Sequence, residues 1–235
     1  MIVLLRSILF SIVFFGGTFL LSVAGTLATP FARGRAINFA LAWARLGLWS
    51  ARVLCGIQVE VTGLENLPPG AALIASRHQS TFDTMVWFTL VPRCCYVIKQ
   101  ELLRIPLMGR MIGATGMIAV DREGGAKTIR TLVKEGKRAA AEGRQIVIFP
   151  EGTRAEPGAL LPLQPGVAAL AAATRLPVYP VVTDSGRLWG RRAFHKYPGT
   201  IHIAIRPAMP SGLKREELMS RLRQELESEI PTASP

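Results

Sequence analysis

Three stretches of this sequence place reactive or charged side chains directly after apolar runs. The first is Ser76-Arg77-His78-Gln79-Ser80-Thr81-Phe82-Asp83. A hydroxyl is a poor nucleophile at neutral pH and needs a base whose pKa lies near the working pH, which suits His78. On a regular helix, residues five apart are turned by about 500°, so His78 and Asp83 would point some 140° apart. They meet if His78 lies in a loop and the helix starts after it, with Ser80 or Thr81 as its N-cap. Asp83 then accepts a hydrogen bond from one imidazole nitrogen, sets the tautomer and stabilises the imidazolium. The other nitrogen is free to take a proton from an acceptor hydroxyl. The alternative is a hydrogen-bonded histidine at a helix start with no chemistry.

The second stretch is Phe149-Pro150-Glu151-Gly152-Thr153-Arg154. Gly152 permits an unusual backbone angle, Thr153 offers a hydroxyl and Arg154 a planar five-donor fork. Together they can hold a phosphate or position a polar headgroup; the alternative is a strand-end turn with a Glu–Arg pair. The third stretch is Gly116-Met117-Ile118-Ala119-Val120-Asp121-Arg122. There Arg122 can bind phosphate with Asp121 orienting it, or the two form a surface ion pair.

The elements that must position these groups emerge from the apolar pattern. Runs at 57–61, 71–76, 94–99, 115–120, 145–150, 178–182 and 201–205 read as strands, several of them continuously apolar as expected when both faces are covered. Helical patterns lie at 81–90, 100–113, 125–142, 165–174 and 213–229. Alternation of the two implies an α/β fold with a mostly parallel central sheet flanked by helices. Residues 57–230 are expected to form this domain. All three stretches then fall at carboxyl ends of strands, where ligands gather in such sheets.

Residues 1–56 differ in kind. No charged side chain occurs from 7 to 32, longer than the roughly 20 residues that cross a bilayer core. Arg6 precedes the run, and Arg33, Arg35, Arg45 and Arg52 lie after it. The positive-inside rule places the α/β domain on the cytoplasmic side of a bacterial-type inner membrane. A cleaved signal peptide is one alternative. Another is a membrane-inserted hairpin formed with the next segment, loosened at Gly16, Gly17 and Gly25 and ended by Pro30. Residues 36–56 read as a second helix, with Arg45 and Arg52 on one face and Trp43 and Trp49 suited to headgroup level. It is either an interfacial membrane helix or a surface helix packed on the domain.

The chain has 235 residues, 28 Lys or Arg against 16 Asp or Glu, and a formal charge of +12. That excess calls for an anionic partner, and the apolar N-terminus favours a membrane with anionic lipids over nucleic acid. The three cysteines, Cys55, Cys94 and Cys95, have no CxxC spacing and read as small apolar core residues. No acidic cluster or His/Cys spacing suggests a metal. Residues 185–199 carry Arg187, Arg191, Arg192 and Lys196 with Trp189, Phe194 and Tyr197 interleaved. They form a loop for anionic headgroups or the phosphates of CoA, or a solvated basic loop.

Taken in order, these blocks resemble the 1-acylglycerol-3-phosphate acyltransferases of the wider glycerolipid acyltransferase superfamily, over about residues 55–210. His78 to Asp83 matches the HxxxxD motif, Gly116 to Arg122 the second block and Phe149 to Arg154 the complete FPEGTR block. Val178-Tyr179-Pro180-Val181 matches the final block, and Lys99 to Leu102 with Pro106 and Gly109 match the segment ahead of the second. The sequence departs from the family at Arg77, where many members carry Asn or Lys, and at Leu163-Gln164-Pro165-Gly166, where many carry FKxG. The resemblance implies acyl transfer from acyl-CoA or acyl-carrier protein to the hydroxyl of lysophosphatidic acid, with no cofactor. His78 and Asp83 would be catalytic. Arg122, Gly152, Thr153 and Arg154 would bind the acceptor, with Glu151 orienting these cations or the headgroup. The oxyanion donors would be backbone N–H groups near a helix start or Lys99. Another lysolipid acceptor, such as a lyso-ornithine lipid, and a non-catalytic membrane-binding protein on the same fold are the alternatives.

Overall fold

In a computed structural model of the chain, the structure describes residues 1–28, 34 and 36–230. Pro30, Arg33, Arg35 and the terminal PTASP tail lie outside the described residues. Two helices open the chain, α1 (Ile2–Ala28) and α2 (Ala36–Cys55). The strands are β1 (Ile57–Thr62), β2 (Ala72–Ser76), β3 (Cys94–Lys99), β4 (Ile118–Val120), β5 (Gln145–Ile148), β6 (Val178–Thr183) and β7 (Gly199–Ile205). The other helices are α3 (Asp83–Leu90), α4 (Met108–Ala114), α5 (Ala126–Ala141), α6 (Gly166–Thr174) and α7 (Arg215–Glu227).

The strands form one seven-stranded sheet in the order β1-β7-β6-β2-β5-β3-β4. Strands β2 to β6 run parallel; β7 is antiparallel to β6, and β1 pairs parallel with β7. The fold is therefore α/β with a mostly parallel sheet, as expected. Alternate side chains divide the core into two layers, because successive residues of a strand face opposite ways. Ile74 of β2 and Val147 of β5 join α1, α2 and α3 on one face. Leu73, Ala75, Ile146 and Ile148 join α5, α6 and α7 on the other. All three cysteines are buried free thiols.

Three elements differ from expectation. The helix expected over 100–113 is a 3-10 turn at Gln100–Arg104 and then α4. Pro106 stands between them; it lacks an N–H and restricts Ile105 to extended angles. The strands expected at 115–120 and 145–150 shorten to Ile118–Val120 and Gln145–Ile148. Gly116 sits in the left-handed region with φ 71°, which ends pairing before β4.

The glycines of α1 do not loosen it. The helix runs unbroken through Gly16, Gly17 and Gly25, and Gly17 is a contact point where a Cβ would collide with Leu46 of α2. Cys55 lies near Arg6, Gly47 against Phe14, and Trp43 Nε1 donates to Thr18 Oγ1 at 3.1 Å. Rising numbers on one helix meet falling numbers on the other, so α1 and α2 form an antiparallel pair. Among the described residues, α1 is the one helix long and apolar enough to cross a membrane. It touches the rest of the chain from Ser7, which accepts the Lys196 N–H, to Thr26, which donates to the Leu107 carbonyl. Its opposite side leaves Ile12, Phe15, Phe19 and Leu20 exposed.

Candidate active site

His78 comes two residues after β2, and α3 begins at Asp83, so the loop between them lets the two side chains meet. His78 Nδ1 lies 3.1 Å from Asp83 Oδ2. The same oxygen accepts the backbone N–H groups of Gln79 at 2.7 Å and Ser80 at 2.8 Å. Three polar contacts on one oxygen thus fix the Asp83 carboxylate in place. Ser80 Oγ accepts the Phe82 N–H at 3.1 Å, closing the start of the helix. The imidazole stacks on Phe149 with ring centroids 4.0 Å apart and an interplanar angle of 15°. Tyr96 Oη donates to the Asp83 carbonyl at 3.1 Å. The ring is therefore fixed on two sides, and with Nδ1–H directed to Asp83, Nε2 is the acceptor.

A cavity of about 550 Å³ opens over the imidazole. Its lining carries the cations Lys99, Arg122, Arg154, Arg191 and Arg192. It also carries Trp43 of α2, Phe88 of α3, Tyr96 of β3, and Met111 and Ile112 of α4. Gly152 and Thr153 also line it. His78, Lys99, Arg122 and Arg154 all stand at or just past the carboxyl ends of the parallel strands β2, β3, β4 and β5, which explains their convergence. Gly152 has φ 72°, and its N–H closes a turn on the Phe149 carbonyl at 3.0 Å. Gln164, in the segment that departs from the family, donates its N–H to the Pro150 carbonyl at 2.7 Å.

Two expected roles are not what the geometry brings together. Glu151 is 3% exposed and does not line the cavity. Its Oε2 accepts the His78 backbone N–H at 2.8 Å, so it holds His78 by its main chain. Burial raises its pKa above the usual carboxylate range, while the His78 N–H and Arg77 act in the opposite direction. Asp121 does not orient Arg122: its carboxylate accepts the Glu123 N–H at 3.0 Å. Arg122 instead feels Glu101, and burial lowers its pKa. Burial also lowers that of Arg154, with Asp83 opposing and Arg191 and Arg192 reinforcing the shift. Arg77 is buried, and its guanidinium donates to the backbone carbonyls of Ala159 and Leu226, away from the cavity.

The family model described as Acyltransferase matches residues 58–184, which include the His78–Asp83 pair and the Phe149–Arg154 turn. A 1-acyl-sn-glycerol-3-phosphate acyltransferase of Pseudomonas aeruginosa is 36% identical over 186 residues, covering 79% of this chain and 72% of the relative. This chain belongs to that family. It is an acyltransferase. The enzyme of the same name from Helicobacter pylori is 32% identical over 179 residues, covering 73% of this chain and 74% of its own. The crystal structure of the 1-acyl-sn-glycerophosphate acyltransferase PlsC from Thermotoga maritima superimposes with a TM-score of 0.69 at 21% identity, covering 96% of this chain and 92% of that one. That likeness shows a shared fold.

The basic loop at 185–199 divides in two. Arg191 and Arg192 reach the cavity. Trp189 and Lys196 are buried instead: Trp189 meets Phe10 of α1 edge-on at 4.9 Å, and the Lys196 ammonium lies 5.1 Å from the Phe10 ring centroid. Nothing in the alternation of basic and aromatic residues distinguishes the members that dock α1 from those that face the cavity. Trp43, Met111 and Ile112 likewise carry no sequence signal of a cavity wall, because apolar residues on helices read equally as core.

Proposed function

We propose that the enzyme transfers a fatty acyl group from an acyl thioester, acyl-CoA or acyl-carrier protein, to the free hydroxyl of lysophosphatidic acid, giving phosphatidic acid. The observation that carries this reading is the Asp83-bound His78 in a cavity lined by both cationic and apolar side chains. A lysolipid phosphate and an acyl chain need both. The relatives' names point to the same acceptor.

In this reading His78 Nε2 takes the proton of the acceptor hydroxyl as its oxygen attacks the thioester carbonyl. Asp83 stabilises the imidazolium that forms. The tetrahedral oxyanion collapses, the carbon–sulfur bond breaks, and the imidazolium returns the proton to the departing thiolate. No acyl-enzyme is needed. The Gln79 and Ser80 N–H groups are occupied by Asp83, so of the oxyanion donors expected near this site Lys99 is favoured. Arg122 and Arg154 bind the acceptor phosphate, Gly152 and Thr153 shape the wall beside them, and Glu151 positions His78.

Residues 1–56 anchor the domain, residues 57–230, on the cytoplasmic face of the membrane, helped by anionic lipids. Because α1 lies along the domain from Ser7 to Thr26, its exposed apolar side favours immersion in one leaflet over a crossing that would drag the domain into hydrocarbon. The test is turnover of purified full-length protein in detergent against a panel including lysophosphatidic acid and a lyso-ornithine lipid, with each thioester donor. Phosphatidic acid as the dominant product supports the reading; preference for a phosphate-free acceptor overturns it.

A further inference from the structure

In the reaction proposed above, Arg122 and Arg154 account for the acceptor phosphate, yet two more guanidinium groups, Arg191 and Arg192, line the same cavity. Arg191 Nη1 donates to the Arg154 carbonyl at 3.3 Å. Among the described residues, no acidic side chain pairs with Arg154, Arg191 or Arg192. Like charges gathered in this way repel, and both Arg191 and Arg192 add to the effect of burial in lowering the pKa of Arg154. An anion placed among them would relieve that repulsion.

The turn that carries them is held in place. The Tyr197 N–H closes the base of the loop on the Leu188 carbonyl at 2.9 Å. Trp189 is wedged against Phe10, the Lys196 N–H donates to Ser7 Oγ at 3.0 Å, and the Lys196 ammonium donates to the Phe194 carbonyl at 2.8 Å. At the tip, the Ala193 N–H returns to the Gly190 carbonyl at 3.2 Å, and Arg192 adopts φ 56°. A non-glycine residue rarely adopts that region, and such strain is often found where a side chain must be aimed.

We propose that Arg191 and Arg192 complete, with Arg154, a seat for a phosphate monoester dianion, and that in turnover the seat holds the phosphate of the acceptor lysolipid. This rests on the acyl-transfer reading. The acceptor carries its hydroxyl and its phosphate on neighbouring carbons, so its phosphate lies close to His78. Arg154 is within electrostatic reach of Asp83, which puts the seat near the base. The phosphates of an acyl-CoA hang at the far end of a long arm from the thioester. Because α1 holds the base of this loop, the anchoring helix also shapes the seat.

The experiment is steady-state kinetics of the full-length protein in detergent with 1-oleoyl lysophosphatidic acid and oleoyl-CoA. Glycerol 3-phosphate serves as a soluble competitor. The R191A/R192A double variant is expected to raise the acceptor KM by on the order of 10–100-fold and to lose inhibition by glycerol 3-phosphate. The oleoyl-CoA KM should move by less than about twofold. R191K/R192K should recover part of the acceptor affinity, since it keeps charge without the planar fork. Unchanged acceptor kinetics in the double variant would overturn the seat. A raised donor KM with a normal acceptor KM would overturn it too, assigning these arginines to the donor's phosphates. A wild-type enzyme that ignores lysophosphatidic acid but acylates a phosphate-free lysolipid would instead refute the underlying reading, and the seat with it.

Discussion

Glu151 offers a way to separate positioning of the base from substrate contact. Its carboxylate is buried, and one oxygen accepts the His78 N–H at 2.8 Å. Glu151→Ala removes a charge-assisted hydrogen bond and strands a buried N–H, at a cost on the order of 2–3 kcal/mol in stability. The main chain of His78 then relaxes, and a shift of about 1 Å in Nε2 costs on the order of 100-fold in kcat. The acceptor KM should change little, because Glu151 does not line the cavity. Glu151→Gln keeps an acceptor for the N–H and should retain far more activity. The pH dependence has a definite sign. Burial raises the folded pKa of Glu151, so this group's favourable contribution is complete below the ordinary Glu value of about 4.3. It is lost as pH rises through the folded pKa. Relative to wild type, the Tm advantage of Glu151→Gln should therefore grow as pH rises above the ordinary Glu value. Matched calorimetry and kinetics on both variants decide the matter. A Glu151→Ala protein with wild-type kcat and a raised acceptor KM would refute the positioning role and return Glu151 to the substrate.

The same geometry gives two more expected outcomes. Arg122→Ala should raise the acceptor KM by about 10–100-fold and leave the thioester KM nearly unchanged, with Arg122→Lys recovering part of the loss, as steady-state kinetics will read. Membrane association should survive a high-salt wash, which screens only the basic surface. Phe15→Lys with Phe19→Lys, on the exposed side of α1, costs up to about 3 kcal/mol each in hydrocarbon and should shift the protein to the soluble fraction on vesicle flotation.

The meeting of His78 and Asp83 was legible because its geometry leaves few options. A histidine just after an apolar strand and an aspartate at the next helix start can meet only across the intervening loop, and they do. Arg122, Gly152, Thr153 and Arg154 were legible by the same logic of strand ends, and all four line the cavity. Glu151 was visible as a residue but not in its contact, since a charged side chain beside an arginine gives no sign that it will turn inward. The reversed pair β1 and β7 was equally hidden. IQVEV and IHIAI read like any other strands, and direction in the sheet is set by long-range pairing. The apolar N-terminus announced a long apolar helix, whereas its lengthwise contact with α2 depends on small residues such as Gly17 and Gly47 that carry no directional signal.

Everything proposed for the reaction rests on His78, held by Asp83, acting as the base for acyl transfer to a lysolipid hydroxyl. The direct measurement is phosphatidic acid formation, monitored by mass spectrometry, with purified His78→Ala and Asp83→Asn proteins whose Tm and membrane partition match wild type. The expected result is a loss on the order of 10²–10⁴-fold for His78→Ala, and severe impairment of Asp83→Asn because the amide favours the wrong imidazole tautomer. Near-normal turnover by a folded His78→Ala protein would contradict it.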